Sequence, residues 1–346
     1  RLGAGSTAVG LLVDDPQNPS SQGHVLKVAL DDAAARRLAD EADALEQLSS
    51  PRIVKLVEGP FGIDGRRALL LASAGSETLA TYLGNRERLS LDLLERWGAD
   101  LLEAVVALDA AGVQHRDIKP TNLGVREDRS NKTNRAKHLV LFDFSLTKAP
   151  ATDTQAGTRP YLDPFLTKRR PFDSAAERYA AAVVLFEMAT GHTPRFGDGL
   201  SDPAAIHDEA SIDPAEFDPS ASAKLAAFFM TALARDAGTR HHTAAQMLLQ
   251  WRACFPDSSV VPADADELAA NATATTPLAE SGLSPRAISA LEQLKVTTVG
   301  ELARVDSLLL TRLQGAVRPT RLEVAARAKQ WRSMFGRPRG GWVVES

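Results

Sequence analysis

The amino-acid sequence predicts an α+β protein with two lobes, followed by a small all-α domain. Short segments of alternating apolar and polar residues dominate the chain up to Ala72, as expected of an antiparallel sheet. Longer segments with helical spacing follow as far as Phe255. From Leu278 onward, 11 Lys and Arg residues stand against 6 Asp and Glu, although the whole chain carries a net charge of −4. This asymmetry indicates a separate C-terminal unit.

These observations divide the chain into four parts. The predicted parts are a two-lobed domain at 1–255 (N lobe 1–74, C lobe 75–255), a linker at 256–277, an all-α domain at 278–336 and a tail at 337–346. The linker is rich in Ala, Asp, Ser, Thr and Pro. Since the chain begins at Arg1 inside a strand-like motif, we expect it to be a piece of a longer protein.

Composition excludes several classes of protein. A net charge of −4 does not indicate a nucleic-acid binder. The single cysteine, Cys254, excludes an intramolecular disulfide and suits a reducing compartment, where it is expected to fill a core. The chain has no apolar run of membrane-span length and no signal-like start. We therefore expect a cytoplasmic protein without membrane contact.

The N lobe combines a glycine-rich hairpin with a buried lysine. Its predicted elements are a strand–turn–strand unit at 1–13, strands at 24–30, 53–63 and 67–72, a helix at 31–48 and a connector at 73–76. In the turn, Gly3, Ala4, Gly5 and Ser6 are candidates for cradling phosphates with backbone N–H groups, although an ordinary turn fits equally well. Lys27 lies among apolar neighbours, where an unpaired ammonium would be costly.

The chemistry of the chain is concentrated in the run His115–Asn122 (HRDIKPTN) and in the later Asp143. Asp117 can accept a proton, and Lys119 follows two residues later. Asn122 and Asp143 are oxygen ligands of the kind that magnesium prefers. Strand-like segments follow the run and precede Asp143, so a chance loop sequence is disfavoured. Together these groups are what phosphoryl transfer from ATP to a hydroxyl requires.

This order and spacing resembles the catalytic and metal loops of the eukaryotic-type (Hanks-type) Ser/Thr protein kinases. The resemblance implies ATP and Mg²⁺ as cofactors, with Asp117 as the proton acceptor and Lys119 offsetting charge on the phosphoryl group. It also implies that Asn122 and Asp143 hold magnesium. Glu41 alone would be interpreted as a solvated helix charge; within the resemblance it pairs with Lys27.

A second part of the resemblance covers the segment after Asp143. The run Gly157–Leu162 is similar to the family's substrate-side loop, which implies that Thr158 bridges Asp117 and Lys119. The resemblance also implies an activation segment from Asp143 to about Pro164, and Arg116 as the residue that binds a phosphate on it. Thr152 and Thr154 are the candidate acceptors of that phosphate.

Four residues or short runs depart from the family's pattern. Ala8 replaces a third glycine of the hairpin, and Ser145 replaces the glycine after Asp143-Phe144. Asp163-Pro164-Phe165 replaces Ala-Pro-Glu, so we expect Arg240 to lack its carboxylate partner. Glu177 stands where an aspartate braces the backbone of the catalytic run. None of them is a reacting group, so we expect activity with unusual regulation or substrate docking.

The C-terminal domain resembles a double helix-hairpin-helix, similar to the C-terminal domain of the bacterial RNA polymerase alpha subunit. The predicted segments are a helix at 283–294, a run at 295–302 that turns into a second helix, and a similar unit with 307–313, a turn at 314–317 and a helix at 320–334. Such hairpins can hold a DNA backbone. Lys295 and Val317 stand where glycines would help a hairpin to hold DNA. DNA contact is therefore less expected than packing or partner binding, but it stays open.

The combination of kinase motifs and helical tail resembles the PglW-type kinases of bacterial phage-growth-limitation and BREX defence systems. This resemblance implies a regulatory kinase that acts on a protein substrate among other defence components. The main hypothesis is an active, autophosphorylating Mg-ATP-dependent Ser/Thr kinase. The alternative is a pseudokinase, a nucleotide-binding scaffold whose tail recruits DNA or protein partners.

Overall fold

The computed structural model describes residues 3–4, 8–14, 23–84, 88–128, 136–150, 152–169, 171–257 and 262–335. The chain forms two units. The first comprises Arg1–Arg88, Arg96–Phe217 and Ala223–Cys254, and the second comprises Leu89–Glu95, Asp218–Ser222 and Phe255–Ser346. The last segment of the second unit begins at Phe255. The two short internal segments of the second unit were not anticipated.

The N-terminal part of the first unit is an antiparallel sheet with one helix. Its elements are β1 (Gly3–Ala4), β2 (Ala8–Val13), β3 (His24–Ala29), α1 (Asp32–Glu46), β4 (Leu56–Ile63) and β5 (Arg66–Ala72). The five strands lie in the order β1-β2-β3-β5-β4. Helix α1 begins at an N-cap, because the Asp31 carboxylate accepts a hydrogen bond from the Ala34 N–H at 2.7 Å. Leu38, Ala42 and Leu45 lie on its buried face.

The following part of the chain is mainly helical. Its helices are α2 (Leu79–Leu83), α3 (Leu91–Ala111), α4 (Leu166–Arg169), α5 (Ser174–Thr190), α6 (Ser222–Ala232) and α7 (Ala244–Ala253). Helix α3 starts in the second unit and continues into the first. The central residues of α5, including Val184 and Phe186, are fully buried. Gly191 ends α5 in the left-handed conformation (φ 84°), which glycine adopts without strain.

Small sheets position the loops that carry the chemistry. Their strands are β6 (Glu77–Thr78), β7 (Leu123–Glu127), β8 (Lys137–Leu141), β9 (Arg195–Phe196) and β10 (Ala210–Ser211). Strands β6, β7 and β8 form one antiparallel sheet, and β9 pairs with β10. Since Asn122 directly precedes β7 and Asp143 closely follows β8, the β7–β8 pairing brings the two ends of the candidate site together.

The second unit is helical and includes part of the expected linker. Its helices are α8 (Ala265–Asn271), α9 (Pro285–Glu292), α10 (Val299–Arg304), α11 (Ser307–Thr311) and α12 (Arg318–Phe335). The expectation of an unpacked linker at 256–277 is wrong for α8, whose Ala265 and Ala269 are buried. The Trp331 indole N–H donates to the Ala269 carbonyl at 2.8 Å. The small alanine side chains allow this close approach. In the sequence, the composition of the same segment suggested a linker.

Helix α3, with 21 residues, is the longest of the described helices. Charged residues such as Asp92, Asp100 and Asp109 recur along it. Within the described ranges, no helix has both the length and the apolar composition that a membrane span requires.

Candidate active site

The run His115–Asn122 is held by hydrogen bonds from both sides. Arg116 has a positive φ of 68°, which is uncommon for a residue with a side chain. The Glu177 carboxylate accepts a hydrogen bond from the Arg116 N–H at 2.7 Å and stabilises this backbone. On the other side, a ring nitrogen of the buried His115 lies 3.0 Å from the Phe142 carbonyl oxygen. Burial lowers the pKa of His115, so its ring is neutral and serves as a structural contact.

Asp117, Lys119 and Thr158 form a closed triangle of polar contacts. The Lys119 ammonium lies 2.7 Å from Asp117 Oδ2 and donates to the Thr158 hydroxyl at 2.7 Å. The same hydroxyl donates to Asp117 Oδ1 at 2.7 Å. The substrate-side loop therefore contacts the catalytic run through Thr158, as the resemblance implied. This arrangement orients a carboxylate that can accept a proton beside a cation that can offset negative charge.

Lys27 lies between two carboxylates. Its ammonium is 2.7 Å from Glu41 and 2.8 Å from Asp143. Burial alone would lower the pKa of Lys27, but the two carboxylates outweigh it and raise that pKa above its usual value. Glu41 also accepts a hydrogen bond from the Phe144 N–H at 3.3 Å. Helix α1, strand β3 and the segment after β8 are therefore joined at one point, and Lys27 remains charged at neutral pH.

Asn122 and Asp143 offer oxygen atoms suited to a magnesium ion. The Asn122 amide nitrogen donates to the Asp117 carbonyl at 2.8 Å and to the Asp117 carboxylate at 3.1 Å. The amide nitrogen is thus engaged as a donor, and the amide oxygen is the atom of Asn122 that could bind a cation. Burial would raise the pKa of Asp143, but the adjacent Lys27 lowers it below its usual value, so the carboxylate is ionised. The donor set therefore fits magnesium.

A cavity of about 450 Å³ opens beside Lys27, a volume typical of small-molecule sites. It is lined mostly by apolar and small residues, together with a few polar groups: Ala8, Gly10, Val25, Lys27, Glu41, Val54, Leu71, Ala72, Ala74, Gly75, Ser76, Glu77, Thr78, Thr81, Gly124, Phe142 and Asp143. Of the hairpin residues predicted to cradle phosphates, Gly3 and Ala4 form β1, whereas Gly5 and Ser6 lie outside the described residues.

Two glycines bring the connector at 73–76 against strand β7, a feature that sequence reasoning missed. A Cβ atom at Gly75 would collide with the Val125 carbonyl, and one at Gly124 would collide with the Ala74 carbonyl. Gly75 also has a φ of 125°, which residues with side chains rarely adopt. The only signal in the sequence was the pair of glycines itself. Their absence of side chains sets one wall of the cavity.

The two candidate phosphorylation sites differ in exposure. Thr152 is exposed, whereas Thr154 is buried with 4% of its surface accessible. Arg116 donates to the Pro150 carbonyl at 3.0 Å and lies over the Phe172 ring. In this conformation the arginine contacts the activation segment directly, and Thr152 is the accessible hydroxyl.

The expectation that Arg240 lacks a carboxylate partner is wrong. Arg240 lies 2.7 Å from Asp163, which also pairs with Arg169 at 2.8 Å. Both Arg240 and Asp163 are almost completely buried. Phe165 instead occupies an aromatic cluster, with edge-to-face contacts to Tyr179 and Phe196. The carboxylate that pairs with Arg240 therefore comes from two residues earlier in the chain.

Glu177 keeps the bracing contact with one methylene more than an aspartate would have. One oxygen binds the Arg116 N–H, while the other is buried without a hydrogen-bond partner among the described residues. Burial raises the pKa of Glu177 to about 7. The brace is therefore present but titrates near neutrality.

Comparison with known proteins agrees with this geometry. A model of the protein kinase domain matches residues 2–251. The chain is 38% identical over 395 residues to the "Probable kinase PglW" of Streptomyces coelicolor, covering 96% of the chain and 25% of that relative. It is 30% identical to the serine/threonine-protein kinase PkaB of the same organism, covering 57% of the chain and 49% of PkaB. It is 28% identical to a "Probable serine/threonine-protein kinase PknB" of Lactococcus lactis, covering 63% and 34% respectively. The chain thus spans half or less of the length of these relatives.

Proposed function

This chain belongs to the protein kinase family, as a Hanks-type Ser/Thr kinase resembling PglW, and we propose that it is catalytically active. In this proposal it transfers the γ-phosphoryl group of ATP to Ser or Thr hydroxyls of proteins and autophosphorylates. The observation that carries the proposal is the closed triangle of Asp117, Lys119 and Thr158. Inactive relatives of an enzyme need no such convergence of three reacting or positioning groups.

Each polar side chain has a defined task in this mechanism. Asp117 accepts a hydrogen bond from the substrate hydroxyl and takes its proton as the oxygen attacks phosphorus. Lys119 offsets the charge that develops on the transferred group, and Thr158 keeps both side chains aligned. Lys27, held by Glu41, binds phosphate oxygens of the nucleotide in the adjacent cavity.

Asn122 and Asp143 are the residues that would hold magnesium. When bound, the ion supplies positive charge that neutralises the phosphate oxygens. Asn122 is oriented for this by Asp117, and Asp143 is kept ionised by Lys27. Gly3 and Ala4 in β1 are proposed to approach the phosphates through their backbone N–H groups.

The regulatory part of the proposal rests on the relative and on the activation segment. We propose that the chain acts in a cytoplasmic bacterial phage-defence system, because 96% of this chain resembles PglW. Phosphorylation of the exposed Thr152, two residues after the Pro150 carbonyl that Arg116 contacts, would then order the activation segment. The helices α9–α12 are proposed to be two helix-hairpin-helix units that serve contacts with protein partners.

One experiment separates the active kinase from the pseudokinase alternative. Phosphate transfer from labelled ATP with magnesium is measured for the wild type, for Asp117→Asn and for Asp64→Asn. Asp64 is an exposed residue with a positive φ of 48°, a conformation that asparagine tolerates well. We expect transfer by the wild type and by the Asp64 variant, and a loss of at least about 100-fold for Asp117→Asn. Nucleotide binding without transfer in all three proteins would identify a scaffold instead.

A further inference from the structure

A buried carboxylate at the start of helix α3 is held by donors from the C-terminal helices. Asp92 and all its partners named here belong to the second unit. Its Oδ2 accepts hydrogen bonds from the Val317 N–H and from the Thr320 hydroxyl, both at 2.8 Å. Its Oδ1 accepts one from Arg286 at 2.7 Å. The side chain of Asp92 is inaccessible to solvent, so these three donors replace its hydration shell.

The three donors are those that proteins use to bind phosphate. A backbone N–H at the start of a helix, a hydroxyl and a guanidinium each favour a negatively charged oxygen. Val317 directly precedes α12, and Thr320 lies in its first turn, where the helix dipole also favours an anion. Arg286 is 8% exposed and is further held by Glu95 at 2.6 Å. The site is therefore built for an anion, and Asp92 supplies it.

The donor from Val317 comes from the second hairpin, defined as residues 312–317 between α11 and α12. This is a segment through which the sequence left DNA contact open. In the structure, Gly315 of this hairpin accepts a hydrogen bond from the Ser90 hydroxyl at 3.2 Å. A Cβ atom on Gly315 would lie only 2.7 Å from that hydroxyl oxygen. The hairpin is thus closed against the segment Ser90–Asp92.

The first hairpin, residues 293–298 between α9 and α10, holds a carboxylate in a similar way. Glu301 accepts hydrogen bonds from the N–H groups of Thr297 and Thr298, at 2.8 Å and 3.1 Å. It also accepts one from the Thr297 hydroxyl at 3.0 Å. Backbone N–H groups of both hairpins, which would be needed to hold a DNA phosphate, are therefore already bound to carboxylates of this chain.

We propose that the second hairpin, with Arg286 and Thr320, is an anion-binding surface whose resident ligand is the Asp92 carboxylate, in place of a nucleic-acid phosphate. Its partner is the first turn of α3 of the same chain. DNA could enter only by displacing Asp92, which would leave a buried carboxylate without its donors. This inference concerns the second unit alone and does not depend on phosphoryl transfer.

The proposal is tested by replacing the internal anion with a free one. Asp92→Ala removes the carboxylate and leaves the three donors around a small space. The midpoint of thermal unfolding, Tm, is measured for the full chain in sodium phosphate and in sodium chloride at equal ionic strength. Leu302→Ala is the matched control, because it destabilises the same unit by a cavity in its apolar core and lies outside both hairpins.

We expect both variants to have a lower Tm than the wild type in chloride. Phosphate should raise the Tm of Asp92→Ala by roughly 3 °C or more relative to chloride, through binding to the folded state. The wild type and Leu302→Ala should show no comparable rise. If Asp92→Ala does not fold, Asp92→Ser serves instead, since its hydroxyl can still accept from Val317 while leaving space for an anion.

Two outcomes would overturn the proposal. An equal phosphate effect on all proteins would mean that the hairpin has no anion site. Retention of the wild type on duplex DNA at low salt, weakened by Thr320→Val, would mean that the hairpin binds external phosphate despite Asp92. No retention of the wild type, together with retention of Asp92→Ala, would support the internal ligand directly.

Discussion

Replacing Asp163 by asparagine should strongly destabilise the first unit, which contains the candidate active site. The Asp163 carboxylate lies 2.7 Å from Arg240 and 2.8 Å from Arg169, and neither Asp163 nor Arg240 has more than 1% of its side chain exposed. The change to asparagine removes the carboxylate that contacts Arg240 and leaves the buried guanidinium beside a neutral amide. Removing one partner of a buried ion pair costs about 3–5 kcal/mol.

The corresponding change in Tm can be worked out from the size of the unit. For domains of 150–250 residues, each kcal/mol shifts Tm by about 2–4 °C, so Asp163→Asn should lower Tm by roughly 6–20 °C. Thermal unfolding followed by circular dichroism measures this shift. The control is Asp43→Asn, the same chemical change in an exposed pair with Lys148 at 2.6 Å. Surface pairs contribute little, so this variant should unfold within about 2 °C of the wild type.

A double variant tests whether the cost arises from the unpaired charge. Asp163→Leu combined with Arg240→Met replaces both charges by apolar groups, while Arg169 retains Asp173 at 3.1 Å. Such replacements of buried pairs are often neutral, so the double variant should recover most of the stability lost in Asp163→Asn. A Tm of Asp163→Asn within 2 °C of the wild type would refute the reasoning, because Arg240 would then not need its carboxylate.

The remaining predictions concern pH, the nucleotide cavity and the activation segment. The pKa of Glu177 rises from its usual value near 4.5 to about 7 on folding, so its contribution to stability is present below pH 4.5 and is lost as pH rises through 7. The loss amounts to about 3 kcal/mol in the free energy of unfolding. Glu177→Gln cannot ionise and should not show it. The Tm of the variant, measured relative to the wild type, should therefore increase between pH 4.5 and pH 7. Gly124→Ala should weaken ATP binding about tenfold or more, because its Cβ would displace Ala74 at the cavity wall; isothermal titration tests this, and unchanged affinity would contradict it. Thr152→Ala should lower phosphate transfer and remove the activation-segment phosphate seen by mass spectrometry, whereas Thr154→Ala, at a buried site, should retain that phosphate. Full activity of a Thr152/Thr154 double alanine variant would exclude regulation by these residues.

The features that sequence could predict are those in which the important residues are close along the chain. Strand alternation and the start of helix α1 near Asp31 are local, so periodicity predicted them, and the order of motifs predicted the catalytic run His115–Asn122. The Lys27–Glu41 contact was predicted only through the resemblance to the kinase family, since Glu41 alone would be interpreted as a solvated helix charge. Their side chains do meet, at 2.7 Å.

The features that sequence reasoning missed depend on residues far apart in the chain. Asp163 and Arg240 are separated by 77 positions, and Asp92 and Val317 by 225. Nothing in the local pattern around an aspartate states which distant donor it will meet. Helix α8 was missed for a different reason, because its buried stripe consists of alanines, whose small apolar surface gives a weak periodic signal.

Two of the four departures from the family's pattern share a physical property: a carboxylate is replaced, and another carboxylate makes the same contact. Arg240 requires a negative charge because it is buried, and Asp163 supplies it from a different position. The Arg116 N–H requires an acceptor, and the longer Glu177 still reaches it at 2.7 Å. In both cases the fold cannot leave the buried donor unpaired. The residue that supplies the carboxylate can nevertheless change. Substitutions of this kind preserve the frame around Asp117, and for that reason they do not favour a pseudokinase.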